Sequence, residues 1–176
     1  MTNKIYPTSN IIQMEATECG AVSLKLILAY YKKYVTIDEL RYTCGITRDG
    51  ASCQKLIDAA CQYGVDLEFT NWDRDSLIKN YDSPLILWWD FNHFLIFEGY
   101  KDSKFYLSDP AIGRRVVEEE TFYAKYTDYC LTVRLKEDFT PSGKPERYIF
   151  DYINRYRNEK NNYVLMLLIS MLSAIP

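Results

Sequence analysis

The chain has 176 residues, 48% of them apolar and 26% charged, with a formal net charge of −3. That length and balance fit one folded domain with a real core and room for an appendage. The slight acidity carries no basic signature and argues against nucleic acid as a partner.

Residues 19–33 read as a helix, with Ala21, Leu24, Leu28 and Tyr31 recurring at spacings of three and four. A short helix is expected over 38–42, ended near Gly45. Ser52 is placed to cap a third helix with Leu56, Ala59, Ala60 and Tyr63 on one face and Gly64 past its end. A fourth spans 73–80. The pattern then changes: residues 84–89 form a continuous apolar run with the length of a buried strand. Strands follow at 93–100 and 105–109, joined by a hairpin through 101–104, then at 114–117 and 131–135, flanking a helix at 119–126. Helices first and antiparallel strands second predict an α+β fold. Residues 136–145 are polar and rich in turn formers, so a linker is expected there. A charged helix should follow over 147–160, then an almost wholly apolar segment, 163–176. Those last fourteen residues are fewer than the roughly 20 needed to span a bilayer. They read as the start of a truncated span, or else as a helix packed on its own domain. Arg155, Arg157 and Lys160 would hold its near end on the cytoplasmic side. The expected organisation is thus 1–135 for the domain, 136–162 for linker and charged helix, and 163–176 for the apolar segment.

Five cysteines (Cys19, Cys44, Cys53, Cys61 and Cys130) form no CxxC pair, and no apolar run of signal-peptide kind precedes them. Reduced thiols are the expectation, and with no CxxC pair and one histidine zinc is not expected. His93, the only histidine, must carry any imidazole chemistry. Cys19 opens the first helix, where the helix dipole lowers a thiol's pKa and a neighbouring imidazolium would lower it further. His93 could form that ion pair and later protonate a leaving amine. Asp109 could orient the imidazole across the 93–109 hairpin. Gln13, six residues before Cys19, could donate its carboxamide N–H to a developing oxyanion, beside the Cys19 backbone N–H. Each residue also has an ordinary reading: core cysteine, structural histidine, turn-forming Asp before Pro110, surface glutamine. Cys44, Cys53, Cys61 and Cys130 are read as core residues. Cysteine, histidine, carboxylate is the chain order of papain-like thiol enzymes.

The segment Gln13-Met14-Glu15-Ala16-Thr17-Glu18-Cys19-Gly20-Ala21 resembles the active-site segment of the double-glycine leader peptidases. These are N-terminal domains of the peptidase-containing ABC transporters that mature and export bacteriocins and related peptides. The resemblance continues through Asp49-Gly50-Ala51-Ser52 with Leu56, Ala59 and Ala60, then Asn92-His93-Phe94, then Asp109-Pro110-Ala111-Ile112-Gly113. It covers about residues 8–135 in order, without a large gap.

The resemblance implies a papain-like fold whose N-terminal helical half carries Cys19 as nucleophile. Its C-terminal antiparallel sheet would carry His93 as general base and acid, with Asp109 to orient it; Gln13 would line the oxyanion hole. It implies precursor peptides as substrates, cut after a Gly-Gly type pair, with an amphipathic helical leader received in an exposed apolar groove. Side chains crowding the subsites before the scissile bond would admit only the smallest residues; Trp89 and Phe91 stand near His93 but are not assigned to those subsites, and the groove is not placed. The implied partners are the transmembrane and ATP-binding domains of the same transporter, dimeric as a whole, with the peptidase at the cytoplasmic face of a bacterial membrane. No cofactor is expected for the peptidase; ATP would belong to the absent ATPase domain. The rival readings are a non-catalytic leader-docking module and a papain-like amidase or acyl transferase of other specificity.

Overall fold

Helix α1 (Cys19–Tyr30) is the hub of the N-terminal half, buried at every residue from Cys19 to Ala29. It is apolar around most of its circumference, as a helix enclosed by its own protein should be. It stops three residues short of the expected end. Lys32 enters left-handed backbone at φ 65°, and the Lys32 and Lys33 N–H groups fold back onto the Ala29 and Leu28 carbonyls. That closure satisfies the carbonyls the last turn leaves open. The computed structural model describes residues 4–145; the segments 147–160 and 163–176 lie outside the described residues.

Two shorter helices pack beside α1. Helix α2 (Ile37–Thr43) is capped by Thr36, and α3 (Cys53–Gln62) by Ser52, whose side chain accepts the Lys55 N–H as the sequence predicts. Six strands follow: β1 (Val65–Asn71), β2 (Leu85–Trp89), β3 (His93–Lys101), β4 (Lys104–Asp109), β5 (Gly113–Glu118) and β6 (Tyr126–Leu135). They form one antiparallel sheet in the order β1-β6-β2-β3-β4-β5. Helices α4 (Arg74–Asn80) and α5 (Glu119–Lys125) complete the described elements.

The central strands of the sheet are buried on both faces, and strand alternation decides which core each side chain joins. Ile86, Trp88, Phe94 and Ile96 join the core built around α1, α2 and α3. Leu85, Leu87, Trp89, Leu95 and Phe97 join a second core with Leu77 of α4 and Phe122 of α5. This explains the unbroken apolar run at 84–89: a central strand with two dry faces has no polar side to show. Phe122 stacks on Phe105 at 3.7 Å between ring centroids and anchors α5 to the second core.

The N-terminal segment is tied down before it reaches the site. Tyr6 N–H donates to the Glu98 carbonyl, and the buried Glu98 carboxylate accepts the Thr8 N–H, the Thr8 hydroxyl and two Arg114 N–H groups. Gly99 permits this approach, since a Cβ there would lie 2.3 Å from the Lys4 carbonyl oxygen. Residues 136–143, expected as linker, run back along the domain. Tyr34 N–H donates to the Ser142 carbonyl, Ser142 N–H to Lys32, and Phe139 packs on Tyr31. Cys44 and Cys130 are buried as expected. Cys61 is not core: it is exposed, with its sulfur 2.9 Å from Lys136 Nζ, and Cys53 is only half-buried.

Candidate active site

Cys19 enters the site as the first residue of α1. Glu18, the residue before it, makes no side-chain capping hydrogen bond to that helix. The thiol is 9% exposed. Burial alone would push its pKa up, but the His93 imidazole and the backbone N–H groups of Phe94 and Gly20 outweigh burial and hold it below the usual thiol range. The other buried thiols behave oppositely: burial raises Cys44 and Cys130 to about 12, which leaves them inert.

His93 opens β3, and the β3–β4 register that aligns Ile96 with Ser108 sets Asp109 toward the His93 end of the pair. His93 Nε2 lies 2.7 Å from Asp109 Oδ1. With Nε2 committed there, Nδ1 is the nitrogen left for Cys19. Burial works against the imidazolium, yet the Asp109 hydrogen bond and the Cys19 sulfur raise His93 to about 9. The three groups expected from the sequence therefore meet, and their mutual shifts favour a thiolate–imidazolium pair.

Asp109 is held from several sides. Its Oδ1 also accepts the Ala111 N–H at 2.9 Å, and Oδ2 lies 2.8 Å from Arg115 Nη2. Burial would raise this carboxyl, but the His93, Ala111 and Arg115 contacts lower it below the ordinary aspartate value. The Arg115 guanidinium sits 5.3 Å over the Trp89 ring. Trp89 is thus a buried floor beneath Arg115. Sequence reasoning missed Arg115; beside Arg114 it reads as one more surface charge. The β4–β5 register, which pairs it with Leu107, is what brings it back to Asp109.

Gln13 is brought to the same place by its backbone, whose N–H donates to the Pro110 carbonyl at 2.7 Å. Its Nε2 donates one hydrogen to the Ala16 carbonyl at 3.3 Å and keeps a second. Its Oε1 is buried without a hydrogen-bond partner among the described residues. No direct bond joins Gln13 to Cys19 among the described residues.

A cavity of about 590 Å³ opens near Cys19, with Ile57, Phe69, Trp88, Phe91 and Phe94 among its walls. Phe94 connects the two features, since its N–H reaches the Cys19 sulfur while its residue lines the cavity. Phe91 is 70% exposed and lies in left-handed backbone (φ 56°), as does Asp90 (φ 53°). That conformation is costly for a bulky residue. The turn is held by Asp90 N–H on the Lys125 carbonyl and by the Lys125–Asp90 ion pair. A shallower cleft of about 420 Å³ lies on the other side of His93, lined by Trp89, Asp109, Arg115 and Lys125; Asn92 borders both spaces.

A thiol at a helix start, facing an imidazole and carboxylate on an antiparallel sheet, defines a papain-like thiol hydrolase. The kinship is closer than that. Residues 8–138 match the Peptidase C39 family, and the chain belongs to it. The chain is 30% identical over 123 residues to the colicin V secretion/processing ATP-binding protein CvaB of Escherichia coli, covering 70% of this chain and 18% of that protein. It is 25% identical over 170 residues to the lacticin-481/lactococcin-DR transport/processing ATP-binding protein lcnDR3 of Lactococcus lactis subsp. lactis, covering 94% of this chain and 25% of the relative. The chain therefore spans about a fifth to a quarter of the length of these curated relatives. Among solved structures, it resembles a double glycine motif protease from an AMS/PCAT transporter in complex with the leader peptide. That likeness has a TM-score of 0.74 and 37% identity, over 77% of this chain and 96% of that one. The fold is also that of the peptidase domain of Streptococcus ComA, with a TM-score of 0.67 and 17% identity over 72% of this chain and 98% of the other.

Proposed function

We propose that this cysteine peptidase removes leaders from bacteriocin- or lanthipeptide-type precursors by cutting after a double-glycine-type motif, as one domain of an ABC transporter that exports the product. The observation that carries the reading is the Cys19–His93–Asp109 constellation beside an open aromatic cavity. Its support is the family membership and the likeness to a protease crystallised with a leader peptide.

Chemically, the Cys19 thiolate adds to the carbonyl carbon of the scissile bond, forming the C–S bond and an oxyanion. Gln13 Nε2 and the Cys19 N–H are the donors assigned to that oxyanion. The C–N bond then breaks as the His93 imidazolium gives its proton to the departing amine, leaving a thioester. Neutral His93 next takes a proton from water as the water oxygen bonds to the thioester carbon; the C–S bond breaks, the leader leaves as a carboxylic acid that gives its proton to solvent, and the thiolate–imidazolium pair is restored. Asp109 holds Nε2 throughout and stabilises the imidazolium without accepting its proton.

The amphipathic leader is assigned to the cavity walled by Phe69, Trp88, Phe91 and Phe94, where its apolar face exchanges water for aromatic surface. The transporter setting is supported by relatives named as transport/processing ATP-binding proteins, and with it we read the peptidase as working at the cytoplasmic face of a bacterial membrane. No helix among the described residues is long and apolar enough to cross a membrane.

The test is mass spectrometry on a synthetic amphipathic leader ending in Gly-Gly and extended by several cargo residues. The expected result is a single cut after the second glycine under reducing conditions, absent in Cys19→Ala, which still binds the peptide. Turnover persisting in Cys19→Ala overturns the nucleophile; binding without turnover in the unaltered protein favours a docking module.

A further inference from the structure

Glu18 immediately precedes the nucleophile and is 1% exposed, an unusual place for a carboxylate. It is the N-cap residue of α1, yet its side chain does not cap that helix. Instead, Oε2 turns back and accepts the N–H groups of Met14 at 3.0 Å and Glu15 at 3.1 Å. Oε1 takes the guanidinium of Arg41 from α2, which also bonds Asp38 at 2.7 Å. A buried carboxylate with this many partners is a fixed point.

What it fixes is the loop that carries Gln13. Packing cannot hold that loop, because Met14 is 87% exposed and Glu15 and Ala16 are exposed as well. Its shape rests on polar ties: Gln13 N–H to Pro110 at one end, Glu18 N–H to the Glu15 carbonyl at the other, and the Glu18 carboxylate on two successive amides between them. Among the described residues the Gln13 carboxamide bonds only within this loop, through Ala16, so its position relative to Cys19 follows the loop.

We infer that Glu18, neutralised by Arg41, is a positioning residue that sets the oxyanion-binding geometry of Gln13. The inference rests on the reading of Gln13 as an oxyanion donor. It assigns Glu18 no contact with substrate; it acts through the loop. Loss of one oxyanion donor costs about 10²–10³ in kcat, and a displaced donor loses part of that.

The experiment compares two reactions of Cys19 in Glu18→Gln. Cleavage of the Gly-Gly leader peptide builds an oxyanion, whereas alkylation by iodoacetamide displaces iodide at carbon and builds none. The expected result is a kcat lowered by about 10- to 100-fold, with KM and the plateau alkylation rate within about 2-fold of the unaltered protein. Glu18→Asp, which keeps the charge beside Arg41 but withdraws it by one methylene, should show the same pattern more weakly and carries the test if Glu18→Gln does not fold. In Gln13→Ala, adding Glu18→Gln should lower kcat by less than 2-fold more, because both changes remove one function. Parallel loss of alkylation and turnover, or full additivity with Gln13→Ala, overturns the inference. So does unchanged turnover in Glu18→Gln while Gln13→Ala is impaired. Full activity of Gln13→Ala itself would instead overturn the oxyanion reading on which the inference stands.

Discussion

His93 is tuned by a relay of contacts two residues deep: Arg115 holds Asp109, and Asp109 holds the imidazole. The consequence is readable in pH. Below the lowered Cys19 pKa the thiolate is protonated, and above about 9 the imidazolium loses its proton, so cleavage should plateau between these limits. Asp109→Asn removes the carboxylate that does most to offset burial, and its alkaline limb should move to lower pH, read from kcat/KM against pH. It should also slow cleavage less than His93→Ala, since it orients rather than transfers protons. The same pair bears on stability. His93 is raised above its ordinary 6.5, so its contribution to folding is complete below pH 6.5 and disappears as pH rises through about 9. Urea midpoints should fall as pH rises above 6.5 in Cys19→Ala, where the opposing contribution of the lowered thiol is gone, and fall less in the Cys19→Ala/His93→Gln double variant. At this scale residue type and chain order offer Cys19, His93 and Asp109 as candidates, each with an ordinary alternative, and it is the resemblance to the leader peptidases that assigns them and Gln13 their roles. Neither exposes Glu18, Arg41 or Arg115. A buried charge looks like a surface charge until a partner distant in sequence is known, and 23 residues separate Arg41 from Glu18.

At the scale of elements, local signals were most reliable where one residue decides the outcome. Ser52 opens α3 as the sequence predicts, and Ser52→Ala should cost about 1 kcal/mol through the lost cap. The central strands were legible for a different reason: a run as dry as 84–89 must be buried on both sides. Strand β1 has no counterpart among the sequence expectations, although Val65, Leu67 and Phe69 alternate with Asp66, Glu68 and Thr70. Its hydrogen-bonding partner is β6, more than fifty residues away, so the sheet edge it completes has no local signature. Likewise β6 begins at Tyr126, directly after α5 and well before the expected 131. Phe122 shows why α5 nevertheless docks. Its ring is fully buried against Phe105, so Phe122→Ala should lower unfolding free energy by about 3–5 kcal/mol in denaturant titration.

At the scale of the whole described domain, catalysis and recognition occupy neighbouring but separable ground. The cavity draws on the 49–52 loop, α3, β1, β2, the strained 90–91 turn and Phe94 of β3, while the Cys19, His93 and Asp109 groups come from α1, β3 and β4, so β3 is the element they share. Phe91→Ala should therefore weaken leader binding by about 10-fold, roughly 1.4 kcal/mol, and leave kcat at saturation nearly unchanged. Peptide titration and steady-state kinetics on the same variant separate the two. A change in kcat alone would place the leader elsewhere. Helix α1 adds one more relation. The nucleophile stands on its first residue, and the returning segment that ends at Ser142 and Gly143 is clipped to residues 32–34 just beyond its last. Twelve helical residues make a rigid spacer of about 18 Å. The clip therefore ties residues 142–143 about a helix-length from Cys19, so strain applied there enters the domain at the end of the rod remote from the thiol.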